Sequence, residues 1–386
     1  MNKQEVLYIG HYDVPKNGNS RRHVFPSAVN KMDYVREAIA SLGHEVCVLS
    51  VARSSLKKAG RGEKIRLDDN SSVIILPAMG RKGHFVSAVE KVLHQIVLFF
   101  ALLFRPADKG PVLVYHSLSN GLAIRLSHNI RKYSLILEVE EVYSDVLPTE
   151  RFRSFEKKMF SEADAYLFPT ETLNEAINES GKPFLIAYGS YALNSNYRRE
   201  EFADTPDNAI HVVYAGTLDP RKGGALTAVA AAKFLPQRYH VHILGFGSDS
   251  DKRELSRAIE EAFKGRGARV TYDGILAGEE YARFMQRCDI GLSTQRSDTS
   301  FNATSFPSKV LSYLSSGLRV VSVRLEVLER SAISDLIEYY DGDDPAAVAQ
   351  AIERIEFSDQ CNGRDRIAEL DAQFKRGLEG LLKEIE

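Results

Sequence analysis

Four short segments in the second half of this sequence carry residue types that suit a phosphorylated ligand. The first, residues 212–224, reads VVYAGTLDPRKGG: an apolar run ends at Gly216 and Thr217, and Arg221 and Lys222 stand just before a helix-like stretch. A glycine at a strand's end lets backbone approach a ligand, and cations beside the free amides of a helix start favour an anion. Taken alone, ordinary solvated charges are the safer reading of Arg221 and Lys222. The second segment, Leu244-Gly245-Phe246-Gly247-Ser248, follows another apolar run, and a plain turn explains its glycines equally well. The third, residues 270–276, sets Gly274 and Ile275 after a further run. The fourth, residues 301–317, reads FNATSFPSKVLSYLSSG. There Pro307 fits a first helical turn, Ser305 or Ser308 can cap it, and Gly317 can end it. Thr304, Lys309 and Ser312 would then border free amides able to meet a phosphate. A buried helix with a capped start fits the same residues.

The first half offers less specific chemistry. Gly10-His11-Tyr12-Asp13 follows the first apolar run, and residues 17–23, which include Asn19 and Arg21, continue a glycine-containing loop. His116 closes the run 112–115. A lone histidine is more often structural, but ligands of open parallel sheets bind beyond the carboxyl ends of strands, and there His116 stands. Residues 138–145, EVEEVYSD, also follow a run. Glu138 and Glu140 suit contacts to ligand hydroxyls, or a solvated loop.

The elements that must position these residues are short strands alternating with helices, the pattern of parallel βαβ units. Strands are expected at residues 6–9, 46–49, 73–76, 112–115, 135–139, 165–168 and 185–187, with a helix over 31–42. After a polar, acidic stretch over 197–208 the pattern restarts. Strands are then expected at 212–214, 241–244, 269–272, 290–292 and 320–323, and helices at 225–234, 251–263, 279–286, 309–315, 346–355 and 367–385. The expectation is an α/β chain of two doubly wound, Rossmann-like domains facing a central cleft. Residues 1–196 form the first, 197–208 the linker and 209–365 the second, and a terminal helix over 366–386 packs back on the first domain.

Singly the four segments are weak signals, but their order and spacing are specific. G-x(5)-K-G, strand-G-x-G, strand-x-x-G, then Cys288-Asp289-Ile290-Gly291-Leu292-Ser293, then F-P-S-K-x-x-x-Y-L-x-x-G before a strand, resembles the donor domain of family 4 glycosyltransferases of the GT-B fold, over about residues 209–322. That resemblance, which suits a bacterial polysaccharide or cell-surface glycan enzyme, implies transfer of a sugar from a nucleoside-diphosphate sugar, with retention of configuration and without metal. It implies catalytic roles for Arg221, Lys222 and His116. Donor contacts are implied at Gly216, Thr217, Gly245, Gly247, Gly274, Ile275, Thr304, Ser305, Ser308, Lys309 and Ser312. Acceptor-side contacts are implied at His11, Asn19, Arg21, Glu138 and Glu140. Two departures stand out. The family often has an arginine directly after the first glycine, where this chain has Thr217. Many members carry two glutamates eight positions apart in the last segment, where this chain has Thr304 and Ser312.

Composition narrows the partners. A formal net charge of -2 gives no bulk attraction to nucleic acid, so none is expected. The three cysteines, Cys47, Cys288 and Cys361, lack any zinc-finger spacing, which suits a reducing, cytoplasmic compartment. No metal or cofactor is expected beyond the sugar nucleotide itself. Residues 85–104 are strongly apolar but interrupted by Glu90, Lys91, His94 and Gln95. A buried or partly buried helix is the first reading, and a membrane-touching helix the second. The basic residues Arg53, Lys57, Lys58, Arg61, Lys64, Arg66, Arg81 and Lys82 precede that segment. They make an anionic membrane surface at the inner face of the membrane a further expected partner, and a glycan or lipid-linked glycan the expected acceptor. Two other readings stay open: a degenerate protein that only binds sugar nucleotides, and a sugar-nucleotide 2-epimerase of the same fold.

Overall fold

The computed structural model describes residues 3–14, 21–56, 59–80, 83–106, 108–143, 150–193, 208–263, 265, 267–296, 298, 300–357 and 362–385. Asn19, the expected linker up to residue 207, Lys57, Lys58, Arg81, Lys82, Asp145 and Cys361 lie outside the described residues. The chain divides into a first compact unit, Met1–Ser190 with Ala372–Glu386, and a second, Tyr191–Asp371.

The first unit holds β1 (Glu5–Gly10), β2 (Glu45–Ser50), β3 (Glu63–Arg66), β4 (Ser71–Ile75), β5 (Val112–Tyr115), β6 (Leu135–Glu138), β7 (Ala165–Phe168) and β8 (Phe184–Ile186). Its sheet runs β3-β4-β2-β1-β5-β6-β7-β8, parallel throughout except for the β3–β4 pair. Short apolar runs such as VLVY and AYLF make the central strands because both faces of such a sheet are covered. β3 was not expected: its sequence, EKIR, sits in the basic stretch and alternates half-buried and exposed positions, as a solvent-edge strand does.

The helices of this unit are α1 (Pro26–Ser41), α2 (His84–Leu103), α3 (Gly121–Arg131), α4 (Glu150–Glu162) and α5 (Glu171–Ile177). α1 opens on Pro26, where a missing N–H costs nothing, so it starts earlier than the hydrophobic spacing suggested. Leu98 and Leu102 of α2 and Ile124 of α3 join Ile9, Val114, Leu137 and Phe168 of the sheet in one buried core.

Three of the four polar residues that interrupt α2, Glu90, His94 and Gln95, point inward, while Lys91 is exposed. The Met79 amide donates to Glu90 Oε1 at 2.8 Å, His94 Nε2 donates to the Pro77 carbonyl at 2.8 Å, and the Ala123 amide donates to Gln95 Oε1 at 2.8 Å. The outward side is left apolar, with Phe85, Leu93, Ile96, Val97, Phe100 and Phe104 exposed. By length and composition Phe85–Leu103 is long and apolar enough to cross a membrane, yet its inner edge is fixed in this core.

The second unit holds β9 (Ile210–Thr217), β10 (Tyr239–Phe246), β11 (Arg269–Gly274), β12 (Ile290–Ser293), β13 (Arg319–Val323) and β14 (Ile337–Tyr340). They form a parallel sheet in the order β11-β10-β9-β12-β13-β14. Its helices are α6 (Gly224–Ala231), α7 (Asp249–Phe263), α8 (Gly278–Gln286), α9 (Lys309–Ser315), α10 (Glu326–Glu329), α11 (Pro345–Glu353) and α12 (Gly363–Glu384). The edge strand β14 escaped the sequence reading because IEYY shows no clean alternation. The last residues of α12 belong to the first unit, where Phe374 packs on Tyr34 with ring centres 5.4 Å apart.

Candidate active site

Within the second unit, β9 is the strand from which the chain winds outward in both directions, and β9 and β12 flank the point where it reverses. Ligands of such sheets bind at that switch point, beyond the carboxyl ends. The two strands pair only through Val212–Ile290 and Val213–Gly291, then part. The Tyr313 hydroxyl bridges them there: it accepts from the Ala215 amide at 2.9 Å and donates to the Leu292 carbonyl at 3.1 Å. Gly291 makes room for that ring, since a Cβ would stand 2.2 Å from Tyr313 Cγ.

The glycines singled out in the sequence border this opening. Gly245 has φ +149°, and a Cβ there would stand 1.7 Å from the Gly216 carbonyl oxygen. The ends of β9 and β10 therefore touch backbone to backbone, and only glycine fits. Gly216 leaves space for Tyr214 and Lys309, whose hydroxyl and Nζ would lie 2.9 and 3.3 Å from an added Cβ. Gly224, opening α6, likewise abuts the Tyr214 hydroxyl. Gly247 lies against Leu218 and Asp251. Gly274 ends β11 at φ +82°, followed by the exposed Ile275.

The cations differ sharply. Lys309 Nζ sits 4.4 Å above the Tyr214 ring, beside Gly216. Burial, then the nearby charge of Lys222, push its ammonium down to about 8. An anion beside Lys309 and Gly216 would favour the charged form of that ammonium. Arg221 stands apart from this pair. Its side chain is exposed and forked onto Asp219, with Nε and Nη2 at 2.6–3.1 Å from the two carboxylate oxygens. Asp219 Oδ1 also caps the short 3-10 turn Pro220–Lys222 by accepting from the Arg221 amide at 3.0 Å. The hydrogen bonds from Arg221 hold the Asp219 carboxyl down to about 2.

The last motif builds a short helix with no side-chain cap: neither Ser305 nor Ser308 bonds its first amides, and Ser308 is exposed. Thr304 and Ser305 are half-buried before it. Ser312 Oγ lies 3.1 Å from the hydroxyl of Tyr281 on α8. Tyr214, Tyr281, Thr294 and Arg296 were missed by sequence reasoning. Thr294 donates to the Gly224 carbonyl at 2.7 Å, and the Arg296 amide donates to the Lys222 carbonyl at 3.2 Å, so the loop after β12 fixes the start of α6. Their position directly after the 290–293 strand was the available signal.

In the first unit the expected residues lie at the carboxyl ends of β1, β5 and β6. Burial, then the charges of Arg53, His94 and His23, push His11 down to about 4. The Arg21 guanidinium pairs with Glu63, and its amide donates to Asp13 Oδ2 at 2.7 Å. His116 is turned into the core: Nε2 donates to the buried Glu156 carboxylate at 2.8 Å, and the ring packs between Tyr143 and Phe160. Those contacts fix its ring within its unit. Glu138 is fully buried and accepts from the Tyr8 hydroxyl, while Glu140 pairs with Lys31 at 3.2 Å. Burial, then the charge of Glu140, raise the Glu138 carboxyl to about 8.

The two sheets define a class: an α/β chain of two Rossmann-like units, the GT-B type of fold. Solved structures of that type align over almost the whole chain. The sucrose-phosphate synthase of Thermosynechococcus elongatus does so at TM-score 0.71 and 15% identity, with 99% of each chain covered. The α,α-trehalose 6-phosphate synthase of Burkholderia multivorans gives 0.68 and 12%, covering 100% of this chain and 97% of its own. An Anabaena protein solved with UDP and glucose gives 0.62 and 12%, covering 99% and 98%. No protein-family model and no curated protein matches the sequence.

Proposed function

We propose that the chain is a glycosyltransferase that moves a sugar from a nucleoside-diphosphate sugar to a glycan or lipid-linked glycan acceptor, retaining configuration and needing no metal at the diphosphate. The observation that carries this reading is Lys309 Nζ over Tyr214 beside Gly216, where Gly216 meets Gly245 backbone to backbone. An anion reaching that opening meets the Lys309 ammonium and close-lying backbone. The fold shared with two sugar-phosphate synthases and with a protein solved with UDP and glucose supports a nucleoside diphosphate as that anion.

In the proposed reaction the bond from the anomeric carbon to the diphosphate oxygen breaks as the acceptor oxygen bonds that carbon, and the acceptor's proton passes to the departing diphosphate. Lys309 and Lys222 stabilise the charge that builds on the leaving group. Where the family often has an arginine after the first glycine, Thr217 stands, and Lys309 supplies a cation to that spot from α9. Arg221, tied to Asp219, acts by holding the 3-10 turn that carries Lys222.

The acceptor reading rests on α2. Its inward polar groups serve the fold, and its outward face, continued by exposed Leu122, Leu126 and Ile130 of α3, is apolar with exposed Lys91, Arg131 and Lys132 nearby. That pattern suits a helix lying in an anionic bilayer surface at the cytoplasmic side, where a lipid-linked acceptor would be presented. A binding-only protein remains the competing reading, favoured by the engagement of Ser312 with Tyr281. The test is a panel of UDP, GDP, ADP and CMP sugars, read first by thermal shift and then by nucleotide release. Release that depends on added glycan acceptor supports transfer. Binding without acceptor-dependent release sinks it.

A further inference from the structure

β9 and β10 run parallel with His211 opposite His240 and Val213 opposite His242. Alternate residues of a strand share a face, so His240 and His242 lie on one face, and the register brings His211 to it. The ring centres are 3.9 Å apart for His240–His242, 5.2 Å for His211–His242 and 5.6 Å for His211–His240. His211 Nδ1 lies 2.9 Å from His242 Nε2, and one nitrogen of each ring lies within 4.8 Å of the other two.

The partners around the cluster are those of a ligand set. A metal-bound histidine commonly gives its other ring nitrogen to a carboxylate, which fixes the ring and raises its basicity. His242 has that arrangement, with Nδ1 3.1 Å from Asp273 Oδ2. Thr271 donates to the same Asp273 oxygen at 2.9 Å and lies 3.1 Å from His240 Nε2. His240 and His242 are buried.

We propose that His211, His240 and His242 bind one divalent d-block cation of the zinc type, which pins β9 to β10. Three imidazoles suit zinc and its neighbours, whereas magnesium and calcium take oxygen. Tetrahedral zinc–nitrogen bonds of about 2.0–2.1 Å place ligand nitrogens about 3.3 Å apart. The spacings here bracket that value, from 2.9 Å to no more than 4.8 Å. The Gly216–Gly245 pair lies five residues further along both strands than His211–His240. At ~3.3 Å per residue this separates the cation from the strand-end opening by roughly 16 Å, so the site is structural and distinct from the diphosphate end.

The test uses the tag-free full chain, stripped with chelator and titrated with Zn²⁺ alone by calorimetry and with Co²⁺ by visible absorption. The expected result is one equivalent per chain, the absorption of a four-coordinate cobalt site, and a raised melting temperature. His211→Ala should abolish the equivalent. Asp273→Asn, which keeps all three ligands, should weaken it about 10–100-fold with the circular dichroism unchanged. Failure of the wild-type chain to bind one equivalent, or an equivalent that survives His211→Ala, overturns the proposal. Neither readout depends on sugar transfer.

Discussion

The Lys309 ammonium lies 4.4 Å above the Tyr214 ring, and among the described residues no carboxylate pairs with it. A cation held against an aromatic face beside a backbone opening is poised for an anionic ligand. Lys309→Met keeps the stem's packing and removes the charge. It should weaken UDP binding at least about tenfold, since a charge-assisted hydrogen bond contributes roughly 1.5–3 kcal/mol. Wild-type affinity should also fall as pH rises through about 8, where Lys309 loses its proton. Its folding linkage has the opposite sense: the folded value lies below the ordinary 10.5, so this group's contribution to stability rises with pH between about 8 and 10.5. Isothermal titration with UDP at pH 6.5, 7.5 and 8.5 checks the affinity, and a flat profile equal to that of Lys309→Met would remove Lys309 from the site.

Gly245→Ala tests the backbone contact. A Cβ 1.7 Å from the Gly216 carbonyl cannot be accommodated by moving a side chain, so the ends of β9 and β10 must separate. The φ of +149° adds strain for any other residue. Loss of UDP binding is expected together with a melting point several degrees lower. Gly274→Ala, with open space around its Cβ but φ +82°, should cost stability through strain and leave UDP binding measurable. Equal effects from both variants would mean that the Gly216–Gly245 contact has no special role.

These glycines were legible in the sequence because a glycine closing an apolar run is a local signal. So were the two winding patterns, whose strands are continuous apolar runs. Lys309 was visible as a residue, but its place over Tyr214 depends on how α9 meets β9, which no local pattern encodes. The pairing of Arg221 with Asp219, two residues earlier, was within reach of the sequence and weakens a cation that looked free. The three histidines of β9 and β10 meet only through strand register. The inward turn of Glu90, His94 and Gln95 on α2 hinges on loop carbonyls and amides elsewhere in the fold, so of the residues that seemed to argue against a membrane-facing helix only Lys91 is exposed.

Glu138→Gln should change how the first unit responds to pH. Burial and Glu140 raise the Glu138 carboxyl from 4.5 to about 8, so the folded form holds a proton that the unfolded chain releases. The stability that this contributes is fully present below about 4.5 and is lost as pH rises through about 8. Glutamine can still accept from the Tyr8 hydroxyl and never ionises. Wild-type protein should therefore lose more melting temperature than Glu138→Gln between pH 5 and pH 9. Parallel melting curves for the two proteins across that range would show that the carboxyl ionises freely.

The outer face of α2 makes the final prediction. Ile96 and Phe100 are 46% and 47% exposed, so placing charge there costs the fold little, while a helix bedded in a bilayer surface loses apolar contact at its centre. Ile96→Glu with Phe100→Glu should abolish flotation with vesicles containing anionic lipid, and the melting temperature should move by no more than a few degrees. Wild-type protein should float with anionic vesicles and much less with purely zwitterionic ones, because Lys91, Arg131 and Lys132 add an electrostatic attraction that salt weakens. If wild-type and doubly substituted protein float alike, the apolar face is not what meets lipid. If neither floats, the acceptor must come to the protein without a bilayer, and the glycan reading would lose its lipid-linked half.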